Sequence, residues 1–184
     1  MELQHIAVKF FLEGSAPPPM AEVIPVFHGW IQEQVCDELL IDVADYRHVF
    51  AGPGVVLVGH EADYALDNTG NRAGVVSRRK QPLAGTNRDR LRQAFRAALG
   101  ACRRLEEDPR LKGRLRVDRR EAQVIINDRL LAPSSEQTFT AVREELKGVL
   151  DRLSEGRDYR LEFQPDPRRR FELTLRAESP LAFE

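Results

Sequence analysis

Between residues 39 and 80 the chain carries three β-prone stretches, 39–50, 55–66 and 73–80, separated by Ala51-Gly52-Pro53-Gly54 and by Asp67-Asn68-Thr69-Gly70-Asn71. Clusters of Gly, Pro, Asn and Asp favour tight reversals: Gly adopts positive φ freely, Pro presets φ, and Asn and Asp bond to nearby backbone. Strands joined by connections this short run antiparallel, because a parallel return needs a crossover of a dozen or more residues. This segment commits the chain to an antiparallel meander.

The flanks supply the layer that covers it. Residues 5–12 alternate and then run apolar through Ile6, Val8, Phe10 and Phe11, which predicts a strand, broken over Gly14 to Pro19. Val23, Val26, Phe27, Trp30 and Ile31 recur at helical spacing over 20–34, with Pro25 expected to delay the regular helix. Leu91, Phe95, Ala98, Leu99, Cys102 and Leu105 form the apolar stripe of a long helix over 88–107, which Pro109 and Gly113 terminate. Residues 121–131 read as a strand that Asn127-Asp128 can fold back on itself. Ser134 and Gln137 have capping-box spacing ahead of a second long helix that runs to Gly156. Two alternating strands, around Leu161 and Leu173, close the chain across Pro165-Asp166-Pro167.

The expected order is therefore β-α-β-β-β-α-β-α-β-β, an α+β fold with one largely antiparallel sheet or two small ones and helices packed on a face. Both ends carry a β-α-β-β unit, an architectural likeness without matching residues. No Gly/Ser/Pro linker divides the chain, so a single domain over 1–184 is expected, with a soft subdivision near 108–120.

Charge is segregated. Residues 1–77 hold 3 basic and 11 acidic residues, 78–120 hold 15 and 5, and 121–184 hold 10 and 13. The basic island can attract a polyanion, pair with the acidic first segment, or join two copies as a homodimer. It contains one aromatic residue, Phe95, where single-strand nucleic-acid binders interleave several, so nucleic-acid binding is not the expected use. Cys36 and Cys102 make neither a disulfide framework nor a thiolate metal cage, and no apolar run suits a bilayer or a secretory leader. A cytoplasmic protein without membrane contact is the expectation.

Turn lengths suggest which residues meet. If Ala51–Gly54 is a four-residue turn and 55–66 one strand, Asp45 opposes His60, Asp42 opposes Asp63, and Glu61 faces Arg78. Asp45 and His60 then lie on the core side, where the carboxylate can orient the imidazole as a general base, with Tyr64 or Ser77 as the candidate nucleophile on the same face. The opposite face gathers Asp42, Glu61, Asp63, Arg78 and Lys80 around Gly59, small enough to let a ligand approach the backbone. Opposed carboxylates call for a cation or a basic ligand unless Arg78 and Lys80 neutralise them in an exposed ion-pair ladder, the simpler reading.

P-loop, Gly-x-Gly-x-x-Gly, Gly-x-Ser-x-Gly, His-Glu-x-x-His and paired Cys-x-x-Cys patterns are absent, so no cofactor and no metal are expected. The leading expectation is a binding module that holds a small polar ligand on the charged floor or associates with itself. The alternatives are a small enzyme using His60 and Asp45, and an RNA-binding module using residues 78–120.

Overall fold

The computed structural model describes residues 1–14 and 18–182. The break expected over Gly14–Pro19 falls partly outside the described residues. Eleven main elements follow in order: β1 (Ile6–Leu12), α1 (Met20–Glu33), β2 (Leu40–Tyr46), β3 (Gly54–Gly59), β4 (Ala62–Asp67), β5 (Gly74–Arg79), α2 (Asn87–Glu107), β6 (Val117–Ile126), α3 (Glu136–Leu153), β7 (Tyr159–Phe163) and β8 (Phe171–Ala177). The class is α+β, with one eight-stranded antiparallel sheet in the order β2-β3-β4-β5-β1-β6-β8-β7.

The stretch 55–66 is a hairpin rather than one strand. Val55 pairs with Leu66 and Leu57 with Tyr64, leaving His60 and Glu61 as a two-residue turn. Gly59 is needed there because a Cβ would strike the carbonyl of Ala62. The close approach expected at Gly59 is thus made by the chain itself. Gly54, at φ +66°, opens β3 where a Cβ would strike the carbonyl of Leu66.

Local chemistry accounts for the helices. Thr86 caps α2 in a capping box: its hydroxyl accepts from the Asp89 N–H at 3.2 Å, and the Asp89 carboxylate accepts from the Thr86 N–H at 3.0 Å. Helix α1 begins at Met20 and runs through Pro25, whose carbonyl accepts from Arg110 Nη1 at 2.8 Å. Ser135, one residue beyond the expected cap, starts α3 by accepting from the Thr138 N–H, while the Ser134 hydroxyl accepts from the Asp166 N–H in the β7–β8 loop. Strand β6 starts earlier than expected, at Val117, and does not fold back at Asn127-Asp128. There the Asp128 carboxylate instead accepts from the N–H groups of Leu130 and Leu131.

The pleat then sorts the side chains. Val8 and Phe10 of β1, Leu57 of β3, Leu66 of β4, Val124 of β6 and Leu173 of β8 join all three helices in the main core. Ala7, Val56, Ala65, Val76 and Ile125 form a second, smaller cluster on the other face, to which no helix contributes. That open face is where the chain places its unusual polar groups.

The open sheet face as candidate functional site

The register decides the fate of each residue singled out from the sequence. Tyr46 pairs with Gly54, Asp45 with Val55 and Asp42 with Val58. The β2–β3 connection therefore spans residues 47–53, longer than the four-residue turn expected. The Asp45–His60 pair does not form. Asp45 is exposed and bound by Arg47, Oδ2 to Nη2 at 2.7 Å, whose hydrogen bonds hold its carboxyl down at about 2. His60 is exposed on its turn, its N–H donating to the Leu39 carbonyl at 2.8 Å. Tyr64 points to the helix side and is buried, its hydroxyl donating to Glu38 Oε2 at 3.1 Å.

The expected floor survives in part. Asp42, Asp63 and Arg78 do share the open face, but Val58 stands between the two carboxylates, two strand spacings or about 10 Å apart. Asp42 accepts from the adjacent Val43 N–H. Glu61 belongs to the turn, its Oε2 accepting from the Leu39 N–H at 3.3 Å. Asp63 lies opposite Arg78, yet its ion pair is with Lys80 at 2.7 Å. Arg78 reaches instead to Asp67, Nη2 to Oδ1 at 2.6 Å.

Asp67 is the hub that sequence reasoning missed. At 1% exposure it binds Lys9 Nζ at 2.6 Å, Arg78, and both the hydroxyl and N–H of Thr69. Lys9, itself buried, also donates to the Arg72 carbonyl. Burial alone raises the Asp67 carboxyl's pKa, but the Lys9 ammonium, with Arg78 and Thr69, more than reverses this and holds it below its usual value. The available signals were Lys9, the only charge in an apolar strand, and Asp67, which turn chemistry disguised as a loop residue.

Two adjoining cavities of about 540 and 340 Å³ open beside this hub and share Arg78, Ile125, Asn127 and Arg170. Seven basic residues and three acidic ones line the pair. Arg78, Lys80, Lys9 and Arg169 have carboxylate partners. Arg129 donates to the Pro167 carbonyl at 3.0 Å. Arg170, which also borders a third cavity beneath the β7–β8 loop, makes no ion pair among the described residues. The floor is small and apolar, from Ala7, Val76 and Ile125. Such a groove can hold an anion against guanidinium groups while its body lies on the floor.

Elsewhere in the basic island several guanidinium groups are ion-paired inside the molecule. Arg90 pairs with Glu2, Arg92 with Asp89, Arg110 with Asp108, Arg114 with Glu22 and Arg120 with Asp118. Among the described residues no group of three His, Cys, Asp or Glu could hold a metal ion, and no helix is long and apolar enough to cross a membrane. Compared with protein-family models, curated proteins and solved structures, the chain has no match.

Proposed function

We propose that this protein is a binding module whose open sheet face takes a small polar anion, such as a phosphorylated or polycarboxylate metabolite. The observation that carries this reading is Arg170, an unpaired guanidinium shared by adjoining cavities over an apolar floor. Arg78 stands on the same wall, already oriented by Asp67, so it needs little reordering to accept a ligand oxygen on its remaining donors. Citrate and inorganic phosphate are suitable probes. Binding to the native state raises the melting temperature with ligand concentration. Arg170→Gln, an exposed change, weakens citrate binding roughly ten- to a hundredfold, the loss expected for one charge-assisted hydrogen bond. An equal thermal shift in the variant, or none in either protein, refutes the reading.

A second reading, self-association, is favoured by a different observation. Leu39, Ile41, Tyr46, Val49 and Phe50 are all exposed, the last at 87%, and all lie on or beside the edge strand β2. An apolar edge with unpaired backbone groups invites a second copy. Light scattering should then report a dimer that Phe50→Ser converts to monomer, and a monomeric wild type excludes it.

A further inference from the structure

The helix side of the sheet holds a further cavity, of about 390 Å³, between the end of α1, the residues leading into β2, and the middle of α2. Three features single it out. On α2, Arg96, Gly100 and Arg104 fall at i, i+4 and i+8, so they lie on one stripe, with the glycine between two guanidinium groups. A Cβ at Gly100 would meet nothing within 4 Å, so no neighbour's bulk demands a glycine at this mid-helix position. Space is left over the helix backbone where a ligand can come close.

Charges of both signs line this cavity. Glu38 lines it and accepts a hydrogen bond from the Tyr64 hydroxyl at 3.1 Å. Neither Arg96 nor Arg104 makes an ion pair among the described residues. Both signs of charge thus face one chamber, and Val35 and Ala97, with the edges of Trp30 and Leu99, give that chamber an apolar wall. We infer that this cavity is a binding site for a small zwitterion with an apolar side chain, an amino acid or close analogue: its carboxylate over Gly100 between Arg96 and Arg104, its amine toward Glu38.

The reasoning is complementary solvation. A ligand carboxylate gains bidentate guanidinium contacts, and its ammonium gains a carboxylate that Tyr64 holds in place. The apolar wall then excludes molecules that are charged throughout. Glu38 is also fixed by a hydroxyl from β4, so the acceptor is placed before the ligand arrives.

Trp30 is the sole tryptophan and lines the cavity, so its fluorescence reads occupancy directly. The full-length protein is titrated with phenylalanine and leucine, and with 3-phenylpropionate and phenethylamine, which lack the amine and the acid. Phenylalanine or leucine should give a saturable change, and each truncated analogue should bind roughly tenfold or more weakly. Arg96→Gln, an exposed change, should weaken binding by a similar factor, and Gly100→Leu, which fills the space, should abolish it. No saturable response to either amino acid, equal binding of 3-phenylpropionate, or unaltered binding in Arg96→Gln overturns the proposal. Should Gly100→Leu fail to fold, the Arg96→Gln comparison decides.

Discussion

Asp67 joins two cations, Lys9 and Arg78, at one buried carboxylate. Its pair with Lys9 is buried on both sides, so replacing the carboxylate leaves a buried ammonium without compensation. Asp67→Asn should cost about 3–5 kcal/mol in urea unfolding. The folded carboxyl titrates below its usual range, so the stability it supplies is intact above about pH 4 and is lost as pH falls through the folded value. The wild type should therefore weaken over that acid limb while Asp67→Asn shows less dependence there. Gly100→Ala should act in the opposite direction, adding about 1 kcal/mol of stability in a helix whose neighbours leave the methyl free room. Cys36 is half-buried and its thiol is pushed up to about 11, chiefly by burial, so iodoacetamide should alkylate it slowly at pH 8 compared with a free thiol. At this scale the sequence was legible where a residue's neighbours are local, as at Cys102, read as core and fully buried. It was illegible at His60 and Asp45, whose partners depend on a register that no single residue encodes.

Elements were easier to read than their edges. The apolar stripe of α2 runs from Leu91 to Leu105 as expected, and its start shows why boundaries slip: the capping residue is Thr86, two positions before the helix expected at 88. Thr86→Ala should cost about 1 kcal/mol, measured by thermal unfolding, because it removes one half of the capping box. The β3–β4 hairpin was hidden because its turn carries His60-Glu61 in place of Asn-Gly. Its signal was length: an uninterrupted stretch of twelve residues is about twice an ordinary strand. The hairpin moved Tyr64 and Asp63 into new company, turning an expected nucleophile on a histidine's face into a buried hydroxyl paired with Glu38.

Across the whole molecule the sheet is organised about β1 and β6, antiparallel neighbours in its interior. Each opens a similar path: a strand, a helix, then a meander whose last strand returns to pair with the first, β5 on β1 and β8 on β6. The first half has two strands more than the second. Because β1 is hydrogen-bonded to both halves and a continuous core runs under them, denaturation should occur in one step. Trp30 fluorescence from the first half and far-ultraviolet circular dichroism from the entire chain should give coincident transitions. The α+β class, the antiparallel sheet and the helices on one face follow from periodicity and turn chemistry, which act over a few neighbouring residues. Which charges meet was decided by the tertiary structure alone: strand register and sheet order bring Lys9 to Asp67 across 58 positions and set Glu38 and Tyr64 beside α2. Such contacts join residues remote in the chain, and a one-residue slip in pairing sends every side chain of a strand to the opposite face.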